Sequence, residues 1–346
     1  MSSPGLRPRV DRACASLQAR HAAVQRCCQR RRRRARPVAA AGGGGGGGES
    51  GSSPPGAAPA GRGAAALLPF AFGGLAATSL ALGAAALAAP GQLLPLVAGV
   101  AATPLDETFL RIAGGTLAIS VAVEFALADA AANGRLGSAT YRRLLLALVV
   151  KNALYLAAFG MASDVWTPAL VALYPTAPLA SLAAAAAALS SPPAAGGAAG
   201  GGAGGALSGL FSRPASGAGW AYAAFALLYA ATLAACYAPE AIFTGATVTP
   251  VGLLLKHTWA PGFWMCGAAC LVLRDAADRG RLGATTFKRL NLGLAAVEAA
   301  YSACFAAAIA SGLAPGDGAA ASNLAGSVGI AAFCLWQGLT AKKEAK

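Results

Sequence analysis

From residue 64 onward the chain alternates long apolar runs with short polar or breaker-rich stretches. The runs are 64–89, 109–131, 141–162, 165–189, 220–238, 251–273, 290–312 and 319–339. A helix needs about 20 mostly apolar residues, at ~1.5 Å rise each, to cross a ~30 Å hydrocarbon core. Each run meets or approaches that length. Pro90-Gly91 closes the first run and Pro239 the fifth. Pro168, Pro175 and Pro178 make the fourth the weakest, a kinked or partly interfacial helix. Pro261-Gly262 interrupts the sixth. The pattern predicts an all-α, polytopic membrane protein with eight transmembrane helices.

One stretch occurs twice. Residues 128–159 read ADAAANGRLGSATYRRLLLALVVKNALYLAAF, and residues 274–305 read RDAADRGRLGATTFKRLNLGLAAVEAAYSACF. A constant offset of 146 aligns Asp129 with Asp275, Gly134 with Gly280, Arg143 with Arg289, Tyr155 with Tyr301 and Phe159 with Phe305. The same offset reaches back to Thr103-Pro104 and Thr249-Pro250. An ungapped match over this length reads as duplication of one unit. The expected organisation is a membrane repeat over 64–189, a flexible Gly/Ala/Ser/Pro linker over 190–217 and a second repeat over 218–340. Each repeat holds four helices. Four is even, so the two tandem repeats share one orientation.

Composition agrees with a membrane body. Apolar residues make up 56% and charged residues 12% of the chain, where soluble domains carry roughly 25% charged residues. The net charge of +14 is uneven, because residues 1–62 hold twelve of the 27 Lys and Arg and only Asp11 and Glu49 among the acids. That excess belongs to a leader and excludes a nucleic-acid-binding body. Residues 1–41 are Arg-rich and acid-poor with no long apolar run, as an organelle transit peptide is. Residues 42–63, with seven consecutive Gly at 42–48, read as a flexible linker. Residues 341–346 form a basic tail.

The charges also test the span count. Eight crossings put thirteen basic residues of the body on one side, including Arg135, Arg142, Arg143, Arg281, Lys288 and Arg289. The other side receives only Arg111 and Lys256, with the acids Asp106, Glu107, Asp164, Glu240 and Asp317. Basic loops stay on the side of synthesis or import. With a plastid transit peptide that side is the stroma, and both termini lie there. The inner envelope and the thylakoid are equally compatible, and the mitochondrial inner membrane is the alternative location.

Three groups of residues are candidates for chemistry. The repeated turn carries Arg135, Arg142 and Arg143 in one copy and Arg281, Lys288 and Arg289 in the other. Beside a helix N-terminus such cations hold the loop at the surface, or bind a lipid phosphate, an anionic solute or a partner protein. Glu124, Lys151, Asn152 and Glu298 lie inside runs, where a charge costs about 2.5–3.5 kcal/mol on insertion scales and so needs a partner. Adjacent antiparallel helices set Glu124 and Lys151 at similar depth, and a Lys151–Glu298 bridge is the competing geometry. Together they define a candidate intramembrane polar track. Lys256, His257, Trp259 and Trp264 read as anchors at the membrane interface.

Several chemistries are excluded. The chain lacks a C-x-x-C pair and has two His, so no metal or cofactor is expected. It also lacks a P-loop, G-x-S-x-G or H-E-x-x-H sequence, and no catalytic residue or enzymatic activity is expected. Asn133-Gly134-Arg135-Leu136 is similar to part of the chlorophyll-binding motif of light-harvesting proteins, but Ala130 stands where that motif needs Glu. The expected function is that of an organelle-membrane accessory or assembly protein whose basic stromal loops meet lipid or a protein partner. The alternative is a small-solute or ion transporter using the polar track between the repeats. One labelling experiment tests the topology. Cysteines replacing Ser138 and Ala284 should react with an impermeant maleimide from the same face of sealed vesicles, and labelling from opposite faces would refute it.

Overall fold

The computed structural model describes residues 62–99, 101–161, 165–190, 210, 212–238 and 248–342. The expected transit peptide, nearly all of the 42–63 linker, most of the 190–217 linker, the loop acids Asp164 and Glu240, and residues 343–346 of the tail lie outside them. The described residues form helices joined by turns. In order these are α1 (Arg62–Ala88), α2 (Pro90–Ala98), α3 (Pro104–Ala132), α4 (Ala139–Gly160), α5 (Pro168–Leu173) and α6 (Thr176–Ser190), followed by α7 (Gly217–Tyr237), α8 (Pro250–His257), α9 (Trp259–Asp278), α10 (Thr285–Ala310) and α11 (Gly318–Thr340). Six of them, α1, α3, α4, α7, α10 and α11, are long and apolar enough to cross a membrane.

The other two apolar runs are each broken. The fourth becomes the six-residue α5 and the fifteen-residue α6, divided at Tyr174-Pro175. The sixth becomes α8 and α9. Its break falls at Thr258, ahead of Pro261-Gly262, and Pro261 sits within the first turn of α9. A proline has no N–H and its ring crowds the carbonyl four residues earlier. For Pro261 that carbonyl belongs to His257, where α8 ends.

Local chemistry sets the ends of the longer helices. Thr103 caps α3 by accepting from the Asp106 N–H at 3.2 Å, and Thr249 caps α8 by accepting from the Gly252 N–H at 2.8 Å. A proline follows each cap, where its missing N–H costs nothing. Gly134 and Gly280 stop α3 and α9 with φ of 63° and 62°, a conformation open to a residue without Cβ. The carbonyls of the two last turns accept in the same way: Arg135 N–H bonds Ala130 O at 2.8 Å, and Arg281 N–H bonds Ala276 O at 2.8 Å.

The centre of the bundle is built from α3, α4, α9 and α10. α3 packs chiefly on α1 and α10, and α9 chiefly on α7 and α4. α6 covers α4, and α11 covers α10. Small residues allow the closest approaches. A Cβ on Gly262 would stand 2.3 Å from the Thr116 Cβ, one on Gly115 2.8 Å from Ala300, and one on Gly293 2.7 Å from Ala122. The large apolar residues left outside, such as Phe70, Leu227 and Trp336, lie on α1, α7 and α11. An outward apolar face suits lipid contact.

The Gly262 contact yields a stability test. Gly262→Ala should lower the melting temperature in detergent, because the added methyl overpacks the crossing at a cost of about 1–3 kcal/mol. A companion Thr116→Gly change should recover part of the loss, whereas Thr116→Ala, which keeps the offending Cβ, should not.

Candidate functional site

The buried polar residues sort into clusters, each held by helices that neighbour one another. In the first cluster α1, α3 and α4 converge. The Lys151 ammonium lies 3.2 Å from Glu124 Oε1 and donates to Ser120 Oγ at 3.3 Å. Ser79 on α1 donates to the other carboxylate oxygen at 2.9 Å. Both charged side chains are at most 5% exposed. Of the two geometries open to Lys151, the structure therefore has the pairing with Glu124. A buried pair of this kind is held by its full set of hydrogen bonds as much as by its charges.

The second cluster belongs to α7, α10 and α11. Tyr229 donates to Glu298 Oε1 at 2.5 Å, and Ser327 donates to Oε2. One turn pair nearer the N-terminus of α10, Tyr222 donates to Asn291 Oδ1 at 2.6 Å. Tyr222 and Tyr229 are seven residues apart, as are Asn291 and Glu298, so two helical turns repeat one contact. Asn323 extends the cluster by donating to the Tyr301 hydroxyl at 3.0 Å.

Asn152 belongs to neither cluster. Its amide donates to Ser181 Oγ and to Leu148 O, both at 2.8 Å. The four residues expected to form one track thus divide among three sets of partners. The Tyr155 ring lies 5.8 Å from the Lys151 ammonium, and the Cys266 thiol is fully buried. Among the described residues no group of His, Cys, Asp and Glu is arranged to hold a metal ion.

The basic turns meet at one end of the bundle and are largely paired there. Arg135 reaches Asp129 at 2.6 Å. Asp275 gathers Arg279 at 2.7 Å, Arg143 at 3.0 Å and Arg281 at 3.6 Å. The Arg143 bridge ties α4 to α9, and the Arg143 side chain is only 4% exposed. Arg142 touches the Leu189 carbonyl at 3.4 Å. The side chains of Lys288 and Arg289, both half-buried, make no hydrogen bond or ion pair with another described residue.

The same end holds the last residues of the linker. Arg274 donates to the carbonyls of Leu210 and Ser212. Asp278 accepts from the Ala215 and Ser216 N–H groups at 3.1 and 3.0 Å and from the Ser216 hydroxyl at 2.8 Å. Burial would raise the Asp278 carboxyl, but these hydrogen bonds and the Arg274 charge outweigh it and hold it below the usual carboxylate range.

Lys256, His257, Trp259 and Trp264 are not lipid-facing anchors. Lys256 donates to the Ala238 carbonyl at the end of α7, and the His257 ring lies 5.2 Å from that of Tyr237. Trp259 donates to Phe109 O at 2.9 Å, and Trp264 to Ala147 O at 3.0 Å. Both indoles therefore tie α9 to its neighbours across the bundle.

The chain matches no protein-family model and no curated protein. Its geometry carries the argument alone. Removing one partner of the inner pair, as in Lys151→Met or Glu124→Gln, should destabilise the bundle by about 3–5 kcal/mol, since a buried charge is stranded. The double variant should lose less than either single change, as judged by thermal unfolding in detergent.

Proposed function

We propose that this is a non-enzymatic accessory or assembly protein of a plastid membrane, built as two tandem four-helix units with eight crossings. The single observation that carries the reading is the closure of the buried polar clusters. The carboxylates of Glu124 and Glu298, the Lys151 ammonium and the Asn152 amide nitrogen are all partnered within the bundle. Buried groups satisfied in this way hold helices in register. They present no unpaired group to a passing solute.

Support for the duplication comes from positions 146 apart. α3 runs over 104–132, and α8 with α9 runs over 250–278. The Asn152–Ser181 and Glu298–Ser327 bonds stand at matching places. Gly262 faces Thr116, its own counterpart, so a pseudo-twofold axis along the membrane normal fits between them. The crossings at that axis are packed too tightly to line a passage. This weighs against the transporter reading, in which substrate sits between the repeats near the midplane.

Function is then assigned to the cationic end, which we take as stromal on the Arg-rich character of residues 1–41. Arg135, Arg143 and Arg281 are occupied in shaping the turns. Lys288 and Arg289, with the lightly held Arg142, remain to engage an acidic surface of a protein partner. The test is affinity purification in mild detergent. Changing Arg142, Lys288 and Arg289 together to Glu should release a co-purifying protein while leaving the melting temperature unchanged. If the partner stays bound, or if only anionic lipid is lost, the docking role fails. Solute uptake in reconstituted vesicles that Glu298→Gln abolishes would favour the carrier instead.

A further inference from the structure

The opposite end of the bundle holds a cavity of about 270 Å³, just below the ~300 Å³ at which small-molecule sites begin. Its walls are the first two turns of α3 and the last two of α10. The helices are antiparallel, and the Gly115–Ala300 and Gly293–Ala122 contacts fix their register. Pro104 and Ser311 therefore stand at the rim, Glu107 and Ala308 lie below them, and Arg111 and Cys304 lie deepest. Gly115 against Ala300 closes the floor. Glu107 and Arg111 bridge at 3.2 Å with 30% and 38% of their side chains exposed, so each keeps capacity for a ligand.

The depth order has chemical meaning. The carboxylate is outermost, and Arg111 leaves the helix four residues, or about 6 Å, deeper, with its guanidinium 3.2 Å from that carboxylate. A membrane phospholipid with an amine headgroup has the same order, with ammonium outermost and phosphate beneath it. Arg binds phosphate oxygens through its fork of N–H donors. The amine recognised here is a primary one. Glu107 and the Ser311 oxygen accept N–H hydrogen bonds, and among the described residues no aromatic ring lines the cavity to receive a quaternary ammonium. Lys256, the other cation at this end, already donates to the Ala238 carbonyl.

We propose that this cavity is a headgroup site for a phospholipid carrying a primary ammonium, with Arg111 on the phosphate and Glu107 on the amine. Cys304 in its wall is a built-in reporter, and peptide mapping separates it from the other cysteines. The full chain is purified in a maltoside detergent, and maleimide labelling of Cys304 is followed as lipid is added. Phosphatidylethanolamine at ten times its Kd should slow labelling about tenfold, with the reaction of a soluble thiol in the same sample unaffected. Phosphatidylcholine and phosphatidylglycerol at the same mole fraction should protect far less. Arg111→Gln should remove the protection and Arg111→Lys should retain part of it, which separates lost binding from lost folding. Glu107→Gln should make phosphatidylethanolamine no better than phosphatidylglycerol. Equal protection by all three lipids, or protection that survives Arg111→Gln, overturns the site. Protection by soluble phosphoethanolamine alone at the same concentration overturns its assignment to lipid.

Discussion

The bundle depends on the crossing of α3 and α9, where Gly262 meets Thr116 with no space for another methyl group. Lipid gives helices little hydrophobic reason to associate, so they adhere through close packing and shared hydrogen bonds. Gly115 against Ala300 and Gly293 against Ala122 repeat the device along α3 and α10. Once these backbones are close, Trp259 and Trp264 reach carbonyls on neighbouring helices. The outer helices α1, α6, α7 and α11 then have fixed surfaces to lie on.

The polar interior follows from the same closeness. Glu124 and Lys151 are accommodated away from water because Ser79 and Ser120 complete their hydrogen bonding. Glu298 relies on the hydroxyls of Tyr229 and Ser327. One cluster thus uses an ion pair and the other a carboxyl with neutral donors. Four of the five described cysteines, Cys236, Cys266, Cys270 and Cys334, are buried to 0% exposure, as small apolar-like side chains are.

Much of the helical framework was legible, because apolar run length and breaker residues report directly on helices in lipid. The turns at Gly134 and Gly280 were legible for the same reason, since only a glycine stops a helix there so readily. The place of the break at Thr258 was misjudged. Pro261 disturbs the carbonyl four residues before it, and the discontinuity appears there rather than at the proline itself. Depth brought Glu124 and Lys151 to one level, because adjacent antiparallel helices convert sequence distance into height, but it left Glu298 as a competing partner. Glu298 was not readable in this way, since its partners come from α7 and α11. The seven-residue spacing of Tyr222 with Tyr229, matched by Asn291 with Glu298, was the signal that pointed to them. Trp259 and Trp264 misled because an indole beside a Lys and a His has the composition of a membrane anchor, and composition is blind to which way a helix faces.

The clamp formed by Arg274 and Asp278 on residues 210–216 has a consequence for the covalent connection. Leu189, at the end of α6, touches Arg142, and Ser212 is fastened to α9, so the bundle itself fixes both ends of the intervening stretch. The entropy of closing a loop grows only with the logarithm of its length, about 0.6 kcal/mol for each doubling. The fold is therefore nearly indifferent to how many residues separate those two moorings. Extra chain inserted there would weigh almost nothing in the thermodynamic balance.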